Sequence, residues 1–202
     1  MYVIGLTGNF GTGKTTVSKM LADLGARIVN ADEIGHYVLY ESEVKDKLVS
    51  IFGCSILNEK GEVDRRRLGE LAFQDKEKAK KLNEITHPRI RAKILDALEK
   101  LKSENVKVAV LEAAVMPRYD WVNVIDEQWV TTASTDVIVN RLEKERGYSE
   151  AEVLARLQRQ TTTGEKIKDA DVLIDTDCSL KELRAKVYFH WNELLTRLGQ
   201  KC

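Results

Sequence analysis

The sequence has few of the residues that mark linkers, metal-binding cysteine sites and membrane segments. It contains two prolines in 202 residues, so we expect no proline-rich linker. Its three cysteines lie far apart and without metal-ligand spacing, which predicts reduced thiols in a cytosolic protein, with Cys54 and Cys178 as buried packing residues. No apolar run approaches the length of a membrane span. The short apolar start has no basic leader, so we expect no signal peptide.

The chain also lacks an excess of either charge. Lysine and arginine total 32, as do aspartate and glutamate, and the formal net charge at pH 7 is zero. Because broad nucleic-acid binding usually needs a basic face, we expect no nucleic-acid partner. With 43% hydrophobic and 32% charged residues, the composition is typical of a globular, helix-rich protein.

Apolar runs that alternate with longer amphipathic segments predict an α/β fold with a parallel sheet. The strand candidates are residues 2–6, "RIVN", "VKVAVLE", "VIDEQWVTT" and "DVLIDT". Helices are expected at about Lys14–Asp23 and in "DVIVNRLEKERG", "SEAEVLARLQRQ" and "SLKELRAKVYFHWNELLTRL".

A long helical block separates the second and third strand candidates. Residues 32–102 are predicted to be almost entirely helical, with breaks near "FGCSILNEKGEV" and at "THP", since proline disfavours helix at the residue before it. A doubly wound sheet needs only one crossover helix there. The extra helices therefore predict a substrate-binding subdomain at about 41–103, inserted into a core of about 1–40 and 104–202.

A glycine-rich turn carries the strongest motif. "GNFGTGKT" (8–15) fits G-x-x-x-x-G-K-[ST], with a strand before it and a helix after it. Gly11 and Gly13 would let backbone N–H groups approach phosphate oxygens without a Cβ between them, and the helix N-terminus adds partial positive charge. Lys14 can reach the β- and γ-phosphates, and the Thr15 hydroxyl can bind Mg²⁺. The turn therefore predicts a phosphate-binding loop (P-loop) and the three-layer P-loop NTPase fold.

Two other nucleotide-binding patterns are incomplete. The third glycine of a dinucleotide fingerprint is missing, because residue 16 is a threonine. "DEIG" (32–35) matches the D-x-x-G of GTPases, but no N-K-x-D for guanine recognition follows. These gaps argue against a dinucleotide site and against a GTP switch.

Two carboxylates follow predicted strands. Asp32 lies just beyond "RIVN", and the carboxyl ends of strands in an open α/β sheet line one crevice, so Asp32 is expected to face the phosphate site. There it would accept the proton of an attacking hydroxyl or bind Mg²⁺ through water. The alternative is that it caps the helix beginning in "NADEIG". Glu112 ends the central strand, where P-loop folds keep an acidic residue near the metal; the alternative is a surface glutamate.

Basic residues predict a lid and an acceptor site. "NRLEKERGYSEAEVLARLQRQ" (140–160) would form a lid at about 141–165 that lowers guanidinium groups onto phosphates and excludes water. A solvated charged helix face is the alternative. The arginines of residues 140–160 are Arg141, Arg146, Arg156 and Arg159. "DRRRL" and "HPRIRAK" add basic groups to the inserted block, where a phosphorylated acceptor would need them or where they form a charged exterior.

In this order the motifs resemble the dephospho-coenzyme A kinase family. That family opens with G-L-T-G-x-x-G-[ST]-G-K-[ST], and this chain reads "GLTGNFGTGKTT". An Ala-Asp after the second strand, an Asp-Arg-x-x-Leu-like segment, a His-Pro pair and an Ala-Asp before a late strand correspond to "NADEIGH", "DRRRL", "HPRI" and "KDADVLI". The resemblance extends over about residues 3–176.

The resemblance implies transfer of the ATP γ-phosphoryl group to the ribose 3′-hydroxyl of dephospho-CoA, the last step of CoA biosynthesis, with Mg²⁺ as cofactor. Asp32 would be the acid–base residue, assisted by Lys14 and by Arg141, which matches the first arginine of the family's lid. The expected ATP-binding residues are Gly8, Gly11, Thr12, Gly13, Lys14, Thr15, Thr16 and Arg146. The expected acceptor-binding residues are Asp32, Arg65, His87 and Arg91, and the metal ligands are Thr15 and Glu112.

Two segments depart from the family pattern. "EAAVMPRYDW" stands where bacterial members commonly have P-L-L-x-E; it resembles the D-A-A-V-L-L-E-A-G-W of the animal bifunctional CoA synthase, with Pro117 and Arg118 in place of Leu-Glu. "DTDC" (175–178) stands where members often have an Asn-x-Gly near the adenine, so no adenine contact is assigned there.

Two other functions stay open from the residues alone. One is a P-loop kinase for another small acceptor, such as a nucleoside, a nucleotide or a shikimate-like molecule. The other is a nucleotide-dependent switch or binding protein with slow, acceptor-independent hydrolysis. The sequence predicts no membrane partner, and it leaves open a monomer or a weak homo-oligomer.

Overall fold

The computed structural model describes residues 1–114, 121, 123–158, 167–168 and 170–199, apart from the side chain of Phe73. The chain divides into two compact units, one of Met1–Val29 with Leu101–Cys202 and the other of Asn30–Lys100. The strands are β1 (Tyr2–Gly8), β2 (Arg27–Asn30), β3 (Val108–Glu112), β4 (Glu127–Thr132) and β5 (Val172–Asp175). The helices with described bounds are α1 (Lys14–Asp23), α2 (Ala31–Val38), α3 (Ser42–Phe52), α4 (Arg65–Phe73), α5 (Lys76–Ser103), α6 (Thr135–Arg146), α7 (Glu150–Gln158) and α8 (Leu180–Gly199).

The first unit is built on a five-stranded sheet with the strand order β2-β3-β1-β4-β5. β1 pairs in parallel with β3 and with β4, and β4 pairs in parallel with β5. Every residue of β3 and nearly every residue of β1 is buried. Because consecutive strand residues point to opposite faces, both faces of the sheet are covered. The predicted three-layer α/β fold with a parallel sheet is confirmed.

Helices α1 and α8 bury their apolar faces against this sheet. Each such side chain contributes about 1.5–3 kcal/mol when it is fully buried. The most buried members of this core are Ile4, Leu6, Val17, Leu21, Val110, Trp129, Ile174, Val187 and Leu194. Within the described residues, no helix is long and apolar enough to cross a membrane.

The second unit is helical and has its own core. Side chains from α2, α3 and α4 surround Leu48 and Ile56, which are fully buried. The predicted break near "FGCSILNEKGEV" is present as a short 3-10 helix, Cys54–Ile56, and an antiparallel bridge between Leu57 and Val63. Val38 of α2 packs into this core, so the chain divides before α2, whereas the sequence put the first boundary after it, at about residue 40.

Two expectations are wrong. The predicted break at "THP" is absent, because α5 runs unbroken through Pro88. Thr86 is buried and its hydroxyl donates to the Leu82 carbonyl at 2.8 Å, and Ile85 and Ile90 pack on the core of the unit; this packing outweighs the helix bond that proline cannot make. Cys54 is exposed rather than buried, since it begins the 3-10 turn, whereas Cys178 is half-buried. Neither of these two cysteines forms a disulfide.

Candidate active site

The glycine-rich turn connects β1, the middle strand of the sheet, to α1. β1 ends at Gly8 and α1 begins at Lys14. Gly11 and Gly13 have φ angles of 78° and 77°, a left-handed region that favours glycine. Gly13 caps α1, and its carbonyl accepts from the amides of Thr16 and Val17, both at 3.0 Å. The loop thus leads into the positive end of a helix at the middle of the sheet, which is a favourable place for a phosphate.

Close packing leaves no room for a side chain at two of the loop glycines, Gly8 and Gly11. A Cβ built on Gly8 would lie 2.1 Å from the Thr131 hydroxyl, and one on Gly11 would lie 2.6 Å from a methyl group of Ile138. Both distances are far below van der Waals contact. The loop is therefore pressed against β4 and α6, and glycine is required there even without a bound phosphate.

Thr12 acts as a support inside the loop. It is 2% exposed, its hydroxyl lies 2.7 Å from the Asn9 carbonyl and 2.8 Å from the Thr131 hydroxyl, and its amide donates to the Asn9 carbonyl at 3.2 Å. Its expected part in ATP binding stays a prediction. The other predicted ATP residues of this segment, Lys14, Thr15 and Thr16, are the first three residues of α1.

Thr15 and Glu112 come together at the carboxyl edge of the sheet. The Thr15 hydroxyl donates to Glu112 Oε1 at 3.3 Å. Glu112 ends β3 and is only 4% exposed, so the alternative of a surface glutamate is wrong. In the described part of the chain, no group of three or more His, Cys, Asp or Glu side chains forms a metal site. One carboxylate and one hydroxyl suit Mg²⁺, which binds few protein ligands and completes its shell with water and substrate phosphates.

Arg141 is tied to the phosphate loop. Its guanidinium donates to the Gly11 carbonyl at 3.3 Å, to the Thr176 hydroxyl at 3.2 Å and to the Thr176 carbonyl at 3.0 Å. The sequence predicted the arginine and missed Thr176, which directly follows β5. The available signal was its position at the carboxyl end of a parallel strand.

The described part of the predicted lid also reaches the loop. Arg156 of α7 lies over the Tyr148 ring at 4.3 Å and over the Phe10 ring at 5.7 Å, and these two rings meet edge-on at 5.6 Å. Phe10 belongs to the glycine-rich loop, and it packs on the small apolar cluster of Ile138, Leu142 and Val153. Arg146 is exposed at the end of α6. Arg159 and the rest of the predicted lid lie outside the described residues, as do Pro117, Arg118 and Cys202.

The predicted acceptor residues all belong to the second unit. Asp32 is the second residue of α2 and is exposed, and Arg65 is the exposed first residue of α4. Burial, followed by the charge of Arg65, lowers the pKa of His36, while Asp32 acts in the opposite direction. Asp32 and Arg65 therefore both lie near His36, a residue that the sequence did not single out.

His87 and Arg91 lie one turn apart on α5, so they share a helix face. His87 is exposed and lines an open depression of about 590 Å³, together with Pro88 and the lysines 76 and 80. Gly35 of α2 packs against Ile90 of α5, since a Cβ on this glycine would lie 3.4 Å from Cδ1 of Ile90. The helices that carry Asp32 and the His87–Arg91 pair are thus in direct contact.

Comparison with known proteins covers nearly the whole chain. The family model described as dephospho-CoA kinase matches residues 2–182. The chain is similar to a dephospho-CoA kinase of Dehalococcoides mccartyi, with 37% identity over 93% of this chain and 94% of that one. It is also similar to one of Geobacillus kaustophilus, with 35% identity over 91% and 92%.

Solved structures agree in fold. A dephospho-CoA kinase from Campylobacter jejuni superimposes with a TM-score of 0.71 and 28% identity, over 95% of this chain and 96% of that one. A crystal structure of a Thermus thermophilus protein gives a TM-score of 0.82 and 28% identity, over 96% and 97%. On its sequence and its fold, this chain belongs to the dephospho-CoA kinase family.

Proposed function

We propose that this protein transfers the γ-phosphoryl group of ATP to the ribose 3′-hydroxyl of dephospho-CoA and releases CoA and ADP. The observation that carries the proposal is the loop between β1 and α1, in which two glycines with positive φ lead into a helix N-terminus in a member of this family. Neither a kinase for another acceptor nor a nucleotide switch is favoured by the family match. We place the reaction in the cytoplasm, as the reduced cysteines predict.

ATP binding is assigned to the loop and to the first turn of α1. Amides at a helix N-terminus are donors for phosphate oxygens. Lys14, the first residue of α1, would neutralise charge on the β- and γ-phosphates. Phosphoryl transfer leaves little covalent work for the protein, so catalysis rests mainly on positioning and on charge stabilisation.

A magnesium ion fits the pair formed by Thr15 and Glu112. The hydroxyl and the nearly buried carboxylate are oxygen donors 3.3 Å apart, which is the ligand chemistry that Mg²⁺ prefers. When bound, the ion would shield the negative charge of the phosphates. The buried Glu112 carboxylate gains a cationic partner in that state, which compensates for its poor hydration.

Asp32 is assigned the proton transfer. The acceptor oxygen forms a bond to the γ-phosphorus, the bond from that phosphorus to the β–γ bridging oxygen breaks, and ADP leaves with the bond electrons. The proton of the hydroxyl passes to the Asp32 carboxylate. Only Ala31 separates Asp32 from the end of β2, so the Cα of Asp32 lies within about 7 Å of the Cα of Asn30, the last residue of that strand.

The remaining basic residues are assigned to binding. Arg65, His87 and Arg91 would hold the phosphates of dephospho-CoA; they belong to one unit, Arg65 and His87 are exposed, and Arg91 is half-buried. Arg141 would act on the ATP side, next to the loop that it already contacts. Arg156, and with it the lid, would cover the transferring group and keep water away from it.

An ADP-release assay with several acceptors tests the proposal. We expect ADP to form rapidly with dephospho-CoA and only at the background rate with a nucleoside, a nucleotide, shikimate or no acceptor. The Lys14→Ala variant controls for a contaminating kinase, and the exposed Lys19 on the same helix provides a matched variant, Lys19→Ala, that should keep its activity. Equal ADP release with every acceptor, or faster release with another one, would contradict the proposal.

A further inference from the structure

Thr176 occupies a junction that the sequence did not single out. It follows β5 and is 1% exposed. Its hydroxyl lies 3.1 Å from the Thr12 carbonyl and 3.1 Å from the Thr132 carbonyl, and it accepts from Arg141 at 3.2 Å. Three parts of the first unit meet at this one oxygen, namely the phosphate loop, the end of β4 and the middle of α6, which carries Arg141.

The number of hydrogens decides what the hydroxyl does. A hydroxyl has one hydrogen and donates to one carbonyl at a time. The Thr132 carbonyl already accepts from the Thr176 amide at 2.9 Å. The hydroxyl hydrogen is therefore best used on the carbonyl of Thr12, a residue that is itself only 2% exposed and whose carbonyl would be costly to leave without a donor.

The same residue also orients Arg141. The two terminal nitrogens of this guanidinium donate to the hydroxyl and to the carbonyl of Thr176, and the nitrogen bound to the hydroxyl also donates to the Gly11 carbonyl. A Cβ on Gly13 would lie 3.5 Å from both the Thr176 hydroxyl and Arg141. Thr176 and Arg141 thus both lie in van der Waals contact with the position that a Cβ at residue 13, the residue that caps α1, would occupy.

We propose that Thr176 is a positioning residue for ATP. Its hydroxyl fixes the phosphate loop at Thr12 and holds Arg141 against the loop, so that the loop amides and the guanidinium are already aligned before the nucleotide arrives. Such alignment lowers the cost of ordering the site on binding. This inference rests on the proposed function, because it assigns a part in that reaction.

Two reciprocal variants separate the hydroxyl from packing. Thr176→Val keeps the branched shape and removes the hydroxyl, whereas Thr176→Ser keeps the hydroxyl and removes the methyl group. We expect the KM for ATP to rise about tenfold in Thr176→Val, the size of effect that loss of a buried hydrogen bond produces. The KM of Thr176→Val for dephospho-CoA should stay within about twofold of wild type. The KM of Thr176→Ser for ATP should also stay within about twofold of wild type.

A matched control is available in the other unit. Thr86 is also buried and also bonds a backbone carbonyl through its hydroxyl, so Thr86→Val should lower the melting temperature without changing the KM for ATP. If Thr176→Val lowers only the melting temperature, as Thr86→Val does, the inference is overturned. Should Thr176→Val not fold, the serine variant decides, since a folded Thr176→Ser with a tenfold higher KM for ATP would also contradict it.

A double-mutant cycle with Arg141→Lys tests whether the hydroxyl acts through the arginine. Residues that act as one unit give non-additive effects. We expect Arg141→Lys to raise the KM for ATP in wild type and to add less than about twofold in Thr176→Val; fully multiplicative effects would overturn the link. Wild-type protein without activity toward dephospho-CoA would refute the proposed function instead, and isothermal titration with ATP would then still compare Thr176→Val with wild type.

Discussion

Asp32 is the second residue of α2 and lies two positions after the residue that caps this helix. The Asn30 side chain accepts from the Glu33 amide at 3.1 Å and is the N-cap of that helix. The sequence left open whether Asp32 would serve as this cap, and the structure gives that part to Asn30. An exposed carboxylate in a first helical turn, just after a strand of the sheet, agrees with the proton acceptor that the proposed reaction needs.

At this scale the first prediction concerns Asp32→Asn. The amide has the same shape but cannot take up a proton at neutral pH, so kcat should fall by about 10²–10⁴. The affinity for ATP, measured by isothermal titration, should stay within about twofold. Glu33→Gln is the matched control, because Glu33 is the neighbouring exposed carboxylate of the same helix. An Asp32→Asn variant with near-normal turnover would remove Asp32 from the chemistry.

A second prediction concerns the metal pair. Glu112→Gln replaces a buried carboxylate by a neutral amide beside Thr15. Because the amide oxygen is a weaker ligand for Mg²⁺, the magnesium concentration for half-maximal activity should rise by about tenfold or more. Activity measured as a function of magnesium at saturating substrates checks this. An unchanged magnesium requirement would exclude Glu112 from the metal site.

Single residues were predictable where a motif fixes their chemistry. Spacing located the glycine-rich turn from Gly8 to Thr15 between a strand and a helix, and the strand pattern located Glu112 at the end of β3. Their parts in ATP and metal binding stay predictions. Thr176 was missed because a threonine after a strand has no distinctive pattern, and its part depends on carbonyls that are distant in sequence. The burial of Cys54 was wrongly predicted for a similar reason, since cysteine is usually buried but here begins a surface turn.

At the scale of elements, aromatic and cationic contacts join α7 to Tyr148, which lies between α6 and α7, and to Phe10 of the glycine-rich loop. Ser149, which directly precedes α7, forms a capping box in which Glu152 accepts from the Ser149 amide and hydroxyl, both at 2.9 Å. Just before it, Tyr148 supports the Arg156 guanidinium. Tyr148 and the apolar cluster of Ile138, Leu142 and Val153 therefore both hold α7 next to the loop.

The third prediction removes that ring. Tyr148→Leu deletes a cation–π contact of about 0.5–1 kcal/mol, so kcat/KM for ATP should fall by about two- to fivefold, whereas Tyr148→Phe should keep most of it. Steady-state kinetics checks both variants. Tyr188→Leu on α8 is the control, since Tyr188 is 55% exposed. A leucine variant with wild-type kinetics would show that the stack does not serve the lid.

The elements themselves followed from the sequence with one clear failure. Strands and helices with strong periodicity, such as β3 and α8, lie close to their predicted positions. The break expected at "THP" did not occur, because proline acts on one helical hydrogen bond whereas α5 is supported by packing along its length. That support comes from residues distant in sequence and is not visible in a local pattern.

At the scale of the whole molecule, an ion pair joins the start of β4 to the last turn of α8. Glu127 accepts from Trp129 at 3.0 Å and from Arg197 of α8. Burial alone raises the pKa of Glu127, but the bonds from Arg197 and Trp129 outweigh it, and the pKa lies below its usual value of 4.5. Burial next to this carboxylate also raises the pKa of Tyr2 to about 12.

The fourth prediction follows from the sign of that shift. A carboxyl group with a lowered folded-state pKa stabilises the fold above its unfolded pKa, and this contribution is lost as the pH falls through the folded pKa. Glu127→Gln should lower the melting temperature by about 5 °C at pH 7. The difference from wild type should stay constant down to about pH 5 and shrink below about pH 4.5.

Thermal unfolding followed by circular dichroism at several pH values measures this difference. Glu59→Gln, an exposed position in the other unit, is the control and should leave the melting temperature unchanged throughout. A difference for Glu127→Gln that persists undiminished at pH 3 would show that the ionised carboxylate does not hold α8 to the sheet.

Mass spectrometry of the product formed from ATP and dephospho-CoA measures the proposed reaction most directly. We expect a product heavier than dephospho-CoA by one phosphoryl group, with the phosphate on the ribose 3′-oxygen and one ADP formed per product. Lys14→Ala protein should form it far more slowly. Recovery of unmodified dephospho-CoA from active, folded wild-type protein, with ADP formed by hydrolysis alone, would contradict the account.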